Sequence, residues 1–309
     1  MPPASPVFLQ GPSYVLGEIE ADHSTIENLR VRAEELRIAP DPRLWGWGSV
    51  FRTERGLEAM AAESGAATLR AAEVEPSSVD ALVLSCSEVP APARSHGRFV
   101  EVVQSGIGLP GVPVYGLGLN RCVNLLAALD VAGAFVAGGR YDRVLVVTTD
   151  RATSDADRLL PYALLSDGAA SCLVTGAGVG RDRYQLLGCA GAQDPGAMGS
   201  SDQISSDLAR QVNDRLLTPR EMRLTDVAGL MHANIFKPVV VMKELQAGFT
   251  LDQLYTDNIA RVGHCFAADP LINLVDRVAA GHVAPDRHYL LASSVPGVRM
   301  GVLLRRLAD

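Results

Sequence analysis

The chain has 309 residues, of which 48% are hydrophobic and 20% charged, so it is long and apolar enough to bury one large core. Its net charge of −7 argues against nucleic acid as the main partner, because phosphate binding requires a basic surface. No apolar run approaches the length of a membrane span, and the opening MPPASPVFLQGPSYV lacks the pattern of a signal peptide. Five cysteines without a CxxC pair indicate reduced thiols rather than a disulfide framework or a zinc site. We therefore expect a cytoplasmic protein with no metal site and no membrane contact.

Predicted strands and helices alternate through the first half of the chain. Residues 79–87 (VDALVLSCS) are predicted as a strand, residues 97–108 as a helix and residues 112–119 as a buried strand. A helix that is apolar on nearly every side follows over residues 122–139, and residues 142–150 (DRVLVVTTD) form the next strand. This alternation predicts an α/β protein with a mostly parallel sheet, and the apolar helix is expected to lie between two layers.

The second half repeats this plan. Residues 129–150 and 272–294 each run from a helix, through a glycine-containing turn and an Asp-Arg pair, into an apolar strand. Matching positions in two halves of similar length indicate an internal duplication, with a sheet in each half and a shared helix layer. The predicted halves are residues 1–176 and 185–309, joined by a linker rich in glycine and charge.

Cys122 lies where the apolar helix begins. A free cysteine at such a place can be a small buried hydrophobe. It can also be a nucleophile, because the unpaired N–H groups and the dipole of a helix N-terminus stabilise a thiolate. The position alone leaves both interpretations open.

Four further motifs, in a consistent order, carry a family resemblance. They are LNRCVNLLAALDVAGAFVAGGRYDRVLVV around Cys122, LLSDGAASCLVTG at residues 164–176, VGHCFAAD at residues 262–269 and HYLLASSVPGVRMGVLLRRL at residues 288–307. In these motifs the chain resembles the thiolase superfamily, and within it the β-ketoacyl-acyl-carrier-protein synthase III-like branch. The resemblance implies an α/β fold of five αβαβα layers with two pseudo-duplicated halves, and a homodimer whose sheets continue across the two-fold axis.

The resemblance also implies catalytic residues. Acyl transfer from a thioester needs a nucleophile, acid/base groups and donors for the oxyanion. Cys122 matches the nucleophile. His232 matches the family's His-x-x-Asn region only if one residue is deleted, and its alternative interpretation is a hydrogen-bonded core histidine. Asn234 would then orient the site through its amide.

His264 departs from the family pattern, which has asparagine at this place. Cysteine with two histidines is the set that elongating synthases of the superfamily use to stabilise an enolate. An imidazole can also act as a general base towards a hydroxyl or an amine, which an amide cannot. His264 is therefore compatible with both chemistries.

A second departure concerns the oxyanion donor. The family's three-glycine turn corresponds here to Val295, Pro296 and Gly297, and proline has no N–H to offer. The loss of one such donor costs about 100- to 1,000-fold in rate. We expect either that Gly297 supplies the donor in a displaced loop or that the intermediate is stabilised differently.

Composition and motifs together predict an acyltransferase of secondary metabolism. The Ala-, Gly- and Arg-rich sequence is typical of a GC-rich genome, in which such pathways are frequent. We expect Cys122 to take an acyl group from an acyl-carrier-protein or coenzyme A thioester and to pass it to a hydroxyl or amine, with no cofactor beyond the thioester. The alternatives are a decarboxylative β-ketoacyl synthase and a non-catalytic partner subunit. Residues 196–216 are expected to contact the substrate, and the identities of the acyl group and the acceptor stay open.

The only two lysines, Lys237 and Lys243, occur just after His232. Carrier proteins are acidic, so an acidic enzyme needs a local basic face to bind them. The sequence therefore predicts that both lysines form a carrier-protein docking patch.

Overall fold

A computed structural model describes residues 6–88, 92–109, 111–178, 183–199 and 203–308. Within these ranges the strands are β1 Val7–Leu16, β2 Ile19–Asp22, β3 Ser49–Arg52, β4 Ala81–Ser85, β5 Val114–Leu117, β6 Arg143–Asp150, β7 Gly168–Thr175, β8 Arg183–Gln193, β9 Val227–Met231, β10 His288–Val295 and β11 Val298–Arg306. The α-helices are α1 Leu29–Glu35, α2 Pro42–Trp45, α3 Leu57–Ala71, α4 His96–Ile107, α5 Asn124–Ala137, α6 Pro195–Met198, α7 Ser206–Leu217, α8 Lys237–Gln246, α9 Asp257–Arg261 and α10 Asp269–Ala279.

Nine strands form one mixed sheet in the order β5-β4-β6-β7-β1-β8-β11-β10-β9, and β2 and β3 form a separate antiparallel pair. In the large sheet, β4 runs parallel to β5 and β6, and β9 runs parallel to β10; the other neighbours are antiparallel. The predicted mostly parallel sheet is therefore wrong. No α-helix lies between β6 and β7 or between β10 and β11, and a connection without a crossover helix joins antiparallel strands.

The two halves share a similar order of elements once β2, β3 and the short helices α1, α2, α6 and α9 are left aside. The first half then runs β1, α3, β4, α4, β5, α5, β6, β7, and the second runs β8, α7, β9, α8, α10, β10, β11. Where the first half pairs β4 with β5, the second has a single parallel bridge between Leu230 and Leu254. The halves do not have separate sheets, because β1 pairs with β8 and joins them. The domain limits at residues 176 and 185 stay a prediction, and residues 179–182 of the linker lie outside the described ranges.

Helix layers cover and separate the two halves. Helix α3 packs on β1, β6 and β7, and α7 packs on β8 and β11, while α5 and α10 contact strands of both halves. The layers are α3, the strands of the first half, α5 with α10, the strands of the second half, and α7. This is the predicted αβαβα order, although the strands of the two β layers are joined in one sheet. Helix α5 contributes Leu125, Leu126, Leu129 and Ala132 to the main core, all of them 0% exposed. This explains why the helix after Cys122 is apolar on almost every side.

Candidate active site

The Cys122 thiol lies at the entrance to the buried helix α5. A single 3-10 turn, Arg121–Val123, precedes the first residue of α5, and Cys122 is 6% exposed. The Asn124 side chain fixes this turn from inside. Its Oδ1 accepts from the Asn120 N–H at 3.1 Å, and its Nδ2 donates to the Cys86 carbonyl at 3.0 Å. The nucleophile turn is thereby attached to the end of β4.

Hydrogen bonds connect the Cys122 thiol to the His264 imidazole and the imidazole to the Asp269 carboxylate. His264 Nε2 lies 3.2 Å from Cys122 Sγ, and His264 Nδ1 lies 2.5 Å from Asp269 Oδ2. Cys122 is 6% exposed, and His264 and Asp269 are 0% exposed. Because a carboxylate accepts, Nδ1 carries a proton and Nε2 faces the sulfur. This arrangement has the geometry of a nucleophile, a base and an orienting acid.

Backbone groups hold the carboxylate in place. Asp269 Oδ1 accepts from the Cys265 N–H at 2.7 Å, and Oδ2 accepts from the Asn234 N–H at 2.6 Å. Asp269 is also the first residue of α10, where the helix dipole favours negative charge. These contacts fix the orientation of the Asp269 side chain towards His264.

The main chain of His264 is fixed by the segment that precedes β7. The His264 N–H donates to the Leu164 carbonyl at 2.8 Å, and the His264 carbonyl accepts from the Ser166 N–H at 3.0 Å. Gly263 enters this contact with φ +75°, and a Cβ there would lie 2.8 Å from Ser166 Oγ. A glycine is therefore needed for the loop to bring His264 to the thiol.

The charge state of His264 follows from its two partners. Burial alone lowers the pKa of this imidazole, but the negative charges of Asp269 and of a Cys122 thiolate, with hydrogen bonds to both, raise it to about 10. At neutral pH this favours the imidazolium form of His264. An imidazolium within hydrogen-bond distance of a sulfur nucleophile stabilises negative charge on the sulfur and can donate a proton to a leaving group.

His232 occupies a different place. It is fully buried, its Nδ1 donates to the Ala233 carbonyl at 2.7 Å, and burial lowers its pKa to about 4. Within the described ranges, its Nε2 has no hydrogen-bond partner, and no hydrogen bond joins it to Cys122. Asn273 connects it to the site indirectly, because Asn273 Nδ2 donates to the His232 carbonyl and to Asn234 Oδ1. A catalytic role for His232 stays a prediction, and Asn234 contacts Asp269 through its backbone N–H rather than its amide.

The turn between β10 and β11 covers the thiol. Cys122 and Val123 pack against Val295 and Val298. Ser293 Oγ donates to the Cys122 carbonyl at 2.8 Å.

Within that turn, Pro296 has no N–H and its carbonyl accepts from Arg121 Nη2 at 2.6 Å. Gly297 has φ +75°, and its N–H makes no hydrogen bond within the described residues. The donor role of Gly297 stays a prediction.

The two lysines differ in exposure. Lys237 begins α8 and is exposed, but Lys243 is 5% exposed, and its Nζ lies 2.9 Å from Glu244 Oε1 and donates to Ser294 Oγ at 3.2 Å. The predicted docking role of Lys243 is therefore wrong, because a buried and paired ammonium cannot present its charge to a partner. Residues 200–202 of the expected substrate segment lie outside the described ranges.

Asp269 is the site residue that sequence analysis missed. It closes the motif VGHCFAAD, five positions after His264. An acidic residue after a motif histidine was the available signal. Among the described residues, the structure has no group of His, Cys, Asp and Glu side chains suited to hold a metal ion, and no helix long and apolar enough to cross a membrane.

Comparisons with known proteins find sequence similarity in the segment that contains Cys122. Residues 119–194 match the family described as 3-oxoacyl-[acyl-carrier-protein (ACP)] synthase III. A β-ketoacyl-[acyl-carrier-protein] synthase III of Chlamydia trachomatis is 30% identical over 118 residues, which cover 37% of this chain and 35% of that protein. The matched segment thus spans about a third of the relative.

The fold extends the similarity to the whole chain. The structure of the acyltransferase ChlB3 superposes with a TM-score of 0.83 at 16% identity, covering 98% of both chains. The synthase III of Aquifex aeolicus gives 0.79 at 17% identity, covering 97% of this chain and 99% of that one. The chain therefore has the fold of these structures, and its residues 119–194 are similar to the synthase III family that the motifs resemble.

Proposed function

We propose that the protein is an acyltransferase that carries an acyl group on Cys122 and passes it to a hydroxyl or amine acceptor. The observation that carries this proposal is the Cys122–His264–Asp269 line, with 3.2 Å between thiol and imidazole and 2.5 Å between imidazole and carboxylate. The donor is an acyl-carrier-protein or coenzyme A thioester. The setting is secondary metabolism in the cytoplasm, and no further cofactor is needed.

Both half-reactions can use the same proton. In the first, Cys122 Sγ attacks the thioester carbonyl, the bond to the donor sulfur breaks, and His264 gives its proton to the leaving thiolate. In the second, neutral His264 takes a proton from the acceptor O–H or N–H as the acceptor attacks the acyl carbon. The bond from the acyl carbon to Cys122 Sγ then breaks, and the released sulfur lies beside the protonated His264 as at the start.

The carboxylate favours transfer to a heteroatom over condensation. A buried Asp269 holds His264 as a base that accepts a proton in the second half-reaction, and an oxygen or nitrogen nucleophile requires such a base. The acyltransferase ChlB3 has the same fold, which supports the proposal.

Decarboxylative condensation is the second candidate. Its specific support is the match to 3-oxoacyl-ACP synthase III over the nucleophile segment. A malonyl thioester would lose carbon dioxide in a Cys122-dependent way only under this alternative. A partner subunit without activity has less support, because the thiol, the imidazole and the carboxylate are all in contact.

Intact-protein mass spectrometry tests the covalent step. After incubation with a panel of acyl-coenzyme A and acyl-carrier thioesters, we expect the mass to rise by one acyl group. Cys122→Ala is expected to show no adduct, because it lacks the nucleophile. The matched control is Cys172→Ala, because Cys172 is also buried but lies in β7. An absent adduct with every donor, or an adduct that persists in Cys122→Ala, would overturn the proposal.

A carrier-protein donor would bind near Lys237. Lys237→Glu is expected to raise KM about tenfold for acidic carrier-protein donors and to leave small thioester donors unaffected, since only the former depend on surface charge. The matched control is Arg305→Glu, which makes the same charge change at the far end of β11 from the Val295–Val298 turn. Steady-state kinetics with both donor classes measure the difference. Equal losses with both donors would show that Lys237 does not bind the carrier.

We also propose a homodimer. Strand β5 lies at one edge of the large sheet, so its outer side is open to a second copy. Leu119 just after it is 99% exposed, and an apolar cavity of about 460 Å³ lined by Leu84, Phe99 and Leu117 lies beside it. An apolar side chain next to an apolar cavity on one face suits a symmetric contact.

A further inference from the structure

A buried cluster of charged side chains lies behind the turn that covers Cys122. Arg299 donates from Nη1 and Nη2 to the two oxygens of Glu244, at 2.7 and 3.3 Å, and Lys243 Nζ lies 2.9 Å from Glu244 Oε1. Both cations also donate to Ser294 Oγ, Lys243 at 3.2 Å and Arg299 at 3.0 Å. Arg299 and Glu244 are 0% exposed. The four side chains are called the Glu244 cluster below.

The charges of the Glu244 cluster depend on one another. Burial alone raises the pKa of the Glu244 carboxyl, but Arg299 and Lys243 lower it to about 2. Burial lowers the pKa of Lys243 to about 8. Ionised groups in a protein interior are costly unless each is paired. The three buried charges of Glu244, Lys243 and Arg299 must therefore keep their mutual contacts, which constrains the positions of the elements that carry them.

The constraint acts on the turn over the thiol. Ser294 and Arg299 are a cross-strand pair of β10 and β11, one pair removed from the Val295–Val298 pair that closes the turn. Glu244 lies on α8, so the cluster ties this helix to both strands.

On the other side, the same hairpin is bound to the nucleophile turn. Ser293 Oγ donates to the Cys122 carbonyl, and Arg121 donates to the Pro296 carbonyl. The hairpin thus lies between the cluster and the reacting sulfur.

We propose that the Glu244 cluster is a positioning network that sets the distance between the Gly297 N–H and the acyl carbonyl on Cys122. This inference rests on the proposed acyl transfer. Pro296 has no N–H where the family has a glycine, so the placement of the Gly297 N–H becomes important for stabilising the oxyanion. Glu244 itself touches neither the thiol nor His264 in the hydrogen bonds of the described residues, which makes it a positioning residue.

Two reactions of the same thiol separate this role from a general structural one. Acylation by a thioester passes through a tetrahedral oxyanion. Alkylation by iodoacetamide is a displacement at a saturated carbon and forms none, yet it needs the same thiolate. A change that only moves the oxyanion donor therefore slows acylation and leaves alkylation as it was.

Glu244→Gln tests the network. Its amide keeps the size of the side chain and cannot accept from both cations through two oxygens. We expect the single-turnover acylation rate to fall about 100-fold, which is the cost of a displacement of about 1 Å or of a lost oxyanion donor, and the alkylation rate to stay at the wild-type value. The control is Asp155→Asn, because Asp155 also bridges two cations, Arg52 and Arg158, outside the cluster.

Ser294→Ala gives a second variant in case Glu244→Gln does not fold. It removes only the hydroxyl that both cations contact, and we expect the same split between the two reactions with a smaller loss of acylation. Ser171→Ala is its control, since Ser171 is a buried strand serine that contacts Ser64 and Thr68 instead.

The outcomes are distinguishable. Slow acylation with unchanged alkylation in either variant supports the network. Wild-type acylation in a folded variant, or a parallel loss of acylation and alkylation, overturns the network while acyl transfer by the wild type stands. A wild type that no thioester acylates overturns the network and the proposed function together.

Discussion

Asp269→Asn is expected to lower the rate of acyl transfer about 10⁴-fold, because it removes the group that fixes the tautomer and supports the charge of His264. Asp269 Oδ2 accepts from His264 Nδ1 and from the Asn234 N–H, and Oδ1 accepts from the Cys265 N–H. An amide has one oxygen for these three donors. Whichever way it turns, its NH₂ meets a donor, and the positive charge on His264 loses its partner.

Single-turnover acylation, followed by mass spectrometry, measures this loss, and circular dichroism reports whether the variant is folded. The matched control is Asp150→Asn. Asp150 is also buried and its charge interacts with His264, but its hydrogen bond is to the Ser87 N–H, and burial raises its pKa to about 7. We expect a much smaller effect there, since that carboxyl already carries a proton part of the time at neutral pH. Equal losses in the two variants would contradict a specific role for Asp269.

Local sequence signals predicted the parts of this site that depend on local structure. Cys122 was recognisable because a thiol at the start of an apolar helix has a direct physical meaning. His264 was recognisable because it replaces an asparagine within a motif. Asp269 was in the same motif and was missed. The 3-10 turn between them begins with Phe266 at φ +53°, and this turn brings the carboxylate back to the imidazole. A left-handed conformation is usually predicted from a glycine, and here the residue is phenylalanine.

Contacts between residues far apart in the chain explain the two wrong predictions, namely the docking role of Lys243 and the mostly parallel sheet. Lys243 was expected at the surface because lysine is rarely buried. In the structure its ammonium pairs with the neighbouring Glu244 and donates to Ser294, which lies far along the chain on β10. Nothing in the pattern around Lys243 shows that partner. The predicted strand directions are wrong for a related reason. Whether a strand is parallel or antiparallel depends on its neighbour in the sheet, and the local sequence does not show which strand that neighbour is.

The second large effect concerns stability rather than chemistry. Asp167→Ala is expected to lower the free energy of unfolding by about 3 kcal/mol, because it leaves the buried Arg158 guanidinium without its main partner. Asp167 accepts from Arg158 Nη1 and Nη2, both at 2.9 Å, and also from the N–H groups of Thr53 and Ala152. Asp155 still contacts Arg158 Nε, which keeps the expected loss at the lower end for a broken buried pair.

Urea-induced unfolding of Asp167→Ala beside Asp286→Ala measures the contrast. Asp286 pairs with Arg305 at 2.9 Å, the same distance, but the two side chains are 62% and 43% exposed. An exposed pair contributes about 1 kcal/mol or less, because water replaces the lost contact. Equal losses of unfolding free energy in the two variants would show that burial does not determine how much an ion pair contributes to stability. We expect the larger loss of stability in Asp167→Ala. The change also affects the candidate active site, because the Leu165 N–H donates to the Arg158 carbonyl, and the neighbouring Leu164 carbonyl accepts from the His264 N–H.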